Sequence, residues 1–243
     1  MLMIIQNRKY LETELNINKK NKKMKMTTRP GASVVWIIAG LFFLNISSTA
    51  CKKNKTNQPE IIATDSVKHI LFIGNSLTYT NNLPAIVTSI GKDSGIAIKT
   101  TTLAYPNYAL EDHWNDGVMQ QLIAAVKFDF VIVQQGPSSQ NDGRIMLMDY
   151  GARIKTLCNK TNTQLAFFMV WPYFENLHTF DGIIKNYTDA AAFTNSLLCP
   201  VGLEWRDYFF ATGDYSYSGP DKFHPSQKGS ENAALIIFKT LFK

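Results

Sequence analysis

From residue 67 onward, short runs of apolar, β-branched residues alternate with segments in which apolar positions recur every three or four residues. Runs such as Ile70-Leu71-Phe72-Ile73 and Val131-Ile132-Val133 are apolar at every position, as expected of strands covered on both faces. The pattern predicts five strands, over 69–74, 96–104, 128–134, 165–171 and 201–205. Between them, Leu83, Ile86, Val87 and Ile90 follow the i, i+3, i+4, i+7 spacing of a helix, with Pro84 in the first turn where its missing N–H costs nothing. Val118, Leu122, Ala125 and Val126 make a second stripe, and Ile183, Ile184, Tyr187 and Ala191 a third. A last helix runs from Ser226, the N-cap candidate, to about residue 241, with Ala234, Ile237, Phe238 and Leu241 on its apolar face. Strands alternating with helices predict an α/β fold: a single three-layer α/β/α sandwich, flavodoxin-like, around a five-stranded parallel sheet. Ligands in such sheets sit beyond the carboxyl ends of the strands.

The first sixty residues have a different character. Lys25 and Arg29 precede an apolar run from Val34 to Leu44, and the small residues Ser47-Ser48-Thr49-Ala50 lead into Cys51. This segment resembles a bacterial lipoprotein signal, with Ser48 where leucine is usual; the resemblance implies that Cys51 is acylated and becomes the new N-terminus. The apolar run is shorter than the ~20 residues that span a bilayer, and small residues before the cysteine suit a signal peptidase. An uncleaved anchor helix continuing through Ile46 is the alternative. Residues 1–23 are polar and aperiodic, so translation could begin at Met24 or Met26. The division is therefore a leader over 1–50, a polar tether over 51–66 without apolar residues enough to fold, and one domain over 67–243, exported and membrane-anchored through Cys51.

Charge then changes its meaning. The whole chain is basic, at +6, but residues 1–60 hold eleven of the 25 Lys and Arg and only three of the 19 acids, leaving fourteen bases against sixteen acids downstream. No basic stripe interleaved with aromatics survives, which argues against nucleic acid as a partner. Cys158 and Cys199 lie in an exported domain where an oxidising compartment permits pairing, and buried free thiols are equally compatible with the sequence.

Two short blocks carry candidate chemistry. Ile73-Gly74-Asn75-Ser76-Leu77-Thr78 places a serine just past the first strand and before a helix, where backbone N–H groups can face a developing oxyanion. Gly219-Pro220-Asp221-Lys222-Phe223-His224-Pro225 sets a carboxylate and an imidazole three residues apart, immediately before the last helix. A serine hydroxyl needs a base: His224 can take its proton, and Asp221 can fix the imidazole tautomer and stabilise the imidazolium. Either block alone is also what turns and helix caps look like.

Together, in this order and separation, the blocks resemble those of the SGNH/GDSL hydrolases, over essentially the whole domain. The resemblance implies a serine esterase with Ser76 as nucleophile, His224 as general base and Asp221 as its orienting acid. Gly-Asn-Ser-Leu-Thr, with Pro200-Val201-Gly202-Leu203-Glu204-Trp205 late in the chain, is similar to a branch of exported members. Two other blocks depart from the family pattern. Asn107 stands where a glycine usually presents its N–H to the oxyanion, and asparagine tolerates the left-handed backbone that this needs. The family's Gly-x-Asn-Asp block reads Gln134-Gln135-Gly136-Pro137-Ser138 here. Ser138 aligns with the asparagine, and Gln134 or Gln135 could replace its amide; we expect Gln134. The expected oxyanion hole is thus Ser76, Asn107 and Gln134.

No cofactor or metal is expected: His113 stands beside Glu111 and Asp112, but adjacent residues do not converge on one ion. His69 and His178 read as structural, and Trp171 and Tyr173 as candidates for the mouth of the site. The substrate expected is a short-chain, notably acetyl, ester, with a carbohydrate alcohol implied by the resemblance and by export. Competing readings are a catalytically silent glycan-binding lipoprotein and an FMN binder using Ser76, Thr78 and Thr80 around a phosphate, the latter leaving Asp221 and His224 without a role. An α/β-hydrolase elbow, Gly-x-Ser-x-Gly, is contradicted by Thr78.

Overall fold

The computed structural model describes residues 67–243; the leader, Cys51 and the tether lie outside the described residues. The strands are β1 (Lys68–Gly74), β2 (Ile98–Ala104), β3 (Phe130–Val133), β4 (Gln164–Phe168) and β5 (Leu197–Cys199). The helices are α1 (Ser76–Tyr79), α2 (Leu83–Asp93), α3 (Leu110–Asp116), α4 (Val118–Ala125), α5 (Asn141–Lys160), α6 (Phe180–Phe193), α7 (Val201–Thr212) and α8 (Gln227–Leu241). All five strands are parallel, in the order β2-β1-β3-β4-β5.

That order explains the all-apolar strands. β1 and β3 are interior to the sheet, and Ile70, Leu71, Phe72, Ile73, Val131 and Val133 have no exposed surface, so neither face of these strands meets water. The chain leaves β1 toward one edge, forms β2, and returns past β1 to form β3. Right-handed crossovers require helices reached by steps in opposite directions to cover opposite faces. α2, between β1 and β2, accordingly packs on α8, whereas α5 and α6, between β3 and β5, pack on each other. The reversal opens a crevice at the carboxyl ends of β1 and β3. The residues next in chain there are Asn75-Ser76 and Gln134-Gln135.

One predicted strand is corrected. Residues 201–205 belong to helix α7, and the fifth strand is Leu197–Cys199. Pro200 separates the two, and Val201, Trp205 and Phe209 are buried at a four-residue spacing, which is helical. Gly202 lets this helix start against the end of β4: a Cβ there would lie 2.1 Å from the Val170 carbonyl oxygen. The twenty-residue α5 adds an element to the predicted set; its buried positions are Leu147, Gly151, Ile154 and Cys158. Ser226 caps α8 as expected, its Oγ accepting from the Gly229 N–H at 3.0 Å.

The two cysteines among the described residues are free, buried thiols, and burial pushes both Cys158 and Cys199 up to about 12. Two tryptophans stack within the core. Trp171 and Trp205 stack at 3.7 Å between ring centroids and are buried. Their indole N–H groups both find acceptors: Trp205 donates to Asn232 on α8 at 3.0 Å, and Trp171 to the carbonyl of Phe223 at 2.9 Å. The second bond ties the core to the loop that carries the candidate histidine.

Candidate active site

Ser76 is the first residue of α1, directly beyond β1. Asn75 shapes this turn. Its side-chain oxygen accepts from the Leu77 N–H at 3.1 Å, capping the helix, and its amide N–H group donates to the Tyr108 carbonyl at 3.1 Å. Its backbone N–H donates to Gln134 Oε1 at 3.0 Å, and the Thr78 hydroxyl donates to the same oxygen at 2.8 Å. Gly74 makes the crossing possible, because a Cβ at that position would meet Thr78 Oγ1 at 2.4 Å and Gln134 Oε1 at 2.5 Å.

The second block folds into a tight loop on the same crevice. Lys222 adopts a left-handed φ of 62°, its N–H donating to the Gly219 carbonyl at 2.9 Å, and the Gly219 N–H donates to the His224 carbonyl at 2.7 Å. Asp221 has two duties. Its Oδ1 accepts from the backbone N–H groups of Phe223 (3.1 Å) and His224 (2.9 Å), closing the loop. Its Oδ2 lies 2.5 Å from His224 Nδ1. The bond to His224 is the chief reason that the Asp221 carboxyl is held below the usual carboxylate range, with the two backbone N–H groups adding to it. An ionised Asp221 fixes the proton on Nδ1 and leaves Nε2 free to accept. Ser76 Oγ stands 2.8 Å from that Nε2. Ser76, His224 and Asp221, which are 148 and 3 residues apart in sequence, are thus brought together in the order that a general-base-activated nucleophile requires.

The oxyanion donors come out differently from the sequence expectation. Asn107 has the left-handed φ of 62° that its position demands and lines the cleft with Ser76. Neither the Ser76 N–H nor the Asn107 N–H is used in a backbone hydrogen bond among the described residues. Gln134, by contrast, is fully buried beneath the Ser76 turn. Its Oε1 faces the Asn75 N–H, which can only donate, so the amide orientation is fixed, and its Nε2 donates to the Gln135 carbonyl at 2.6 Å. It supports the turn from below and does not reach the cleft. Ser138 does not replace it: its hydroxyl accepts from Gln135 Nε2 at 2.7 Å and donates to the Gly136 carbonyl at 3.0 Å. Gln135 Nε2 also donates to the Gly143 carbonyl at 3.3 Å. The side chains at the third donor position satisfy one another, leaving the two backbone N–H groups.

The loop after β3 is held by residues that sequence reasoning passed over. Asn186 on α6 is buried, and its amide donates to the Ser138 carbonyl at 2.7 Å and the Gln140 carbonyl at 3.2 Å. Tyr187, read only as part of an apolar stripe, donates its hydroxyl to the Gln135 carbonyl at 2.7 Å. A polar asparagine inside an apolar helical stripe was the available signal. The resulting cleft of about 410 Å³ is bounded by Tyr108, Pro137, Met146 and Phe223 as well as Ser76 and Asn107. Tyr173 is 39% exposed and lines a neighbouring hollow with Phe223, whereas Trp171 is core.

The remaining histidines divide. His113 is buried, and its Nε2 lies 2.8 Å from the Gly74 carbonyl oxygen. Its neighbours are otherwise engaged: Asp112 accepts the Ala109 N–H at 2.8 Å and Glu111 accepts the Tyr150 hydroxyl at 2.8 Å. His69 is the second residue of β1, its backbone N–H donating to Asp129 at 2.8 Å, and His178 lies in a 3₁₀ turn, Phe174–Thr179.

No family model and no curated protein matches the chain. Solved structures do. A protein from Slackia heliotrinireducens, provisionally described as an SGNH hydrolase, superimposes with a TM-score of 0.61 at 23% identity, covering 72% of this chain and 98% of that one. The lipase/acylhydrolase from Enterococcus faecalis gives 0.56 at 15% identity, covering 71% and 94%. An acetyl xylan esterase from Geobacillus stearothermophilus gives 0.54 at 16% identity, covering 72% and 94%. Each match covers nearly the whole of the other protein and about the share of this chain that the domain occupies. The domain over residues 67–243 therefore has the SGNH hydrolase fold.

Proposed function

We propose that the protein is an exported, lipid-anchored serine esterase that removes acetyl or other short acyl groups, on a carbohydrate alcohol, through a Ser76 acyl-enzyme. The observation that carries this reading is the unbroken relay from Ser76 Oγ to His224 Nε2 at 2.8 Å and from His224 Nδ1 to Asp221 at 2.5 Å.

The chemistry follows from those contacts. Ser76 Oγ attacks the ester carbonyl carbon as its proton passes to His224 Nε2, and the imidazolium is stabilised by Asp221. The carbonyl oxygen becomes an oxyanion facing the N–H groups of Ser76 and Asn107. Collapse breaks the bond to the alcohol oxygen, which takes the proton from Nε2 and leaves. Water then attacks the acyl-serine, giving its proton to Nε2, and the second collapse returns that proton to Ser76 Oγ and frees the acid. The acetyl ester substrate is supported by the acetyl xylan esterase with the same fold, and the anchor by the small residues that precede Cys51.

Ser76→Ala should abolish hydrolysis of p-nitrophenyl acetate and leave the thermal transition in place; equal activity in the variant would refute the nucleophile assignment. Cys51→Ser should release the protein from the membrane fraction, and a variant that stays membrane-bound contradicts the anchor. The self-satisfied third donor position favours a second reading, a silent glycan-binding lipoprotein with the same fold. Labelling of Ser76 by a fluorophosphonate separates the two, since only the esterase reacts.

A further inference from the structure

His113 takes no part in the relay, yet it is one of the most completely buried polar residues of the domain, 1% exposed, on the short helix α3. Its Nε2 lies 2.8 Å from the Gly74 carbonyl oxygen, a group that can only accept. Nε2 therefore carries a proton. Nδ1 is buried with no hydrogen-bond partner among the described residues. A bare lone pair there is tolerable, whereas a proton on Nδ1 would make the ring a buried cation with an unpartnered N–H, which is far more costly. The ring is thus held neutral as the Nε2–H tautomer. The titratable groups facing it are Asp112 and Asp116 from its own helix and Tyr105 and Tyr108 from the loop after β2; from β1 it meets the Gly74 carbonyl.

What this ring joins is informative. The Gly74 carbonyl closes β1, two residues before Ser76, and also accepts the Tyr105 N–H at 3.2 Å. The His113 ring lies 5.9 Å from Tyr105 and 5.0 Å from Tyr108, centroid to centroid. Those two tyrosines bracket Asn107 in the loop, and the Tyr108 carbonyl receives the Asn75 amide at 3.1 Å. One imidazole therefore touches the strand end that sets the Ser76 N–H and both flanks of the residue that supplies the Asn107 N–H. These two donors follow the ends of different strands, β1 and β2, and their relative placement is what an oxyanion hole must fix before the charge develops.

We propose that His113 is a positioning residue for the oxyanion hole, its neutral Nε2–H pinning the Gly74 carbonyl while its ring sets the Tyr105–Tyr108 loop, so that the N–H groups of Ser76 and Asn107 converge on one oxygen. This rests on the ester-hydrolase reading of the same site. The function of the ring is geometric, and no proton moves through it.

The test compares His113→Phe, which keeps a ring but loses the donor, with His113→Gln, which keeps an N–H at similar reach, in steady-state hydrolysis of p-nitrophenyl acetate. Phe should lower kcat by about tenfold or more, the worth of roughly one hydrogen bond, with KM within about twofold, because a misaligned oxyanion hole loses transition-state and not ground-state binding. Gln should restore kcat to within about threefold of the parent. A Phe variant with parental kcat, a loss confined to KM, or a folded Gln variant as slow as Phe overturns the proposal. Should Phe fail to fold, Gln alone decides by the same thresholds. Imidazole ¹⁵N spectra of the unaltered protein at pH 7 should give the neutral Nε2–H form; an Nδ1–H tautomer or an imidazolium overturns it. A parent inactive toward all esters sinks the hydrolase reading as well, whereas an active parent, an inactive Ser76→Ala and an unaffected Phe variant sink this proposal alone.

Discussion

Replacing Gln134 by leucine separates two roles that one residue could have had. In the structure Gln134 Oε1 is the acceptor for the Asn75 N–H at 3.0 Å and the Thr78 hydroxyl at 2.8 Å, and the whole side chain is buried. Leucine fills a similar volume but accepts nothing. The Asn75 N–H is then stranded away from water, at about 1–3 kcal/mol, and the Thr78 hydroxyl loses its partner for about 1 kcal/mol more. The Gln135 carbonyl keeps the Tyr187 hydroxyl at 2.7 Å, so the loss of the Gln134 Nε2 donor adds little. A destabilisation of about 2–4 kcal/mol is expected. For a domain of roughly 150–250 residues, each kcal/mol moves Tm by about 2–4 °C, so the transition should fall by about 5–15 °C. The assay pairs calorimetry with kcat measured well below the lowered transition, where any loss of rate reflects only a loosened Ser76 turn. Had Gln134 been the third oxyanion donor, the pattern would invert, with Tm unchanged and kcat reduced by about 10²–10³. That inverted result would refute the reading of Gln134 as a support of the nucleophile turn.

Asp221→Asn should lower kcat by about 10³–10⁴ on ester substrates, because an amide no longer fixes the Nδ1–H tautomer of His224; a loss under tenfold in rapid kinetics would contradict the relay. Its Oδ1 can still accept from Phe223 and His224, so the Asn variant should keep its Tm, whereas Asp221→Ala should lower it. Burial holds the His113 imidazole below its ordinary value, against the pull of Asp116 and Asp112. The unfolded chain therefore takes up a proton there first: stability from this group is complete above about pH 6.5 and is lost as pH falls from that value toward the folded one. Denaturant titrations of parent and His113→Gln between pH 7 and 5 should converge as pH drops; parallel curves would contradict it.

The parts of the fold that the sequence made legible are those in which local pattern and tertiary role agree. β1 and β3 are apolar on both faces because both faces are buried, and α2 and α8 show their stripes because each has one wet side. Residues 201–205 misled because Val201, Leu203 and Trp205 alternate as a strand would, while the evidence for a helix lay four residues further on, at Phe209. α5 was hard to see because two of its four buried positions are Gly151 and Cys158, and Gly151 is there to admit the Phe167 ring, 2.6 Å from where its Cβ would be. Ser76, Asp221 and His224 were legible because each lies in a short block next to a strand end or helix start. Gln134 was not, since a polar residue at a strand end can face the cleft or the turn beneath it, and only the position of the Asn75 N–H decides.

The double duty of Asp221 also bears on how such a site decays. Its Oδ1 holds the loop closed while Oδ2 steers the imidazole, so a lineage that replaces this aspartate by a residue with no side-chain acceptor loses the local architecture along with the relay. Ser76 carries no such debt, because its hydroxyl meets only His224 among the described residues. Descendants of this chain that keep the fold without the proposed hydrolysis should therefore change the serine first and retain a side-chain acceptor at position 221 as inherited scaffolding.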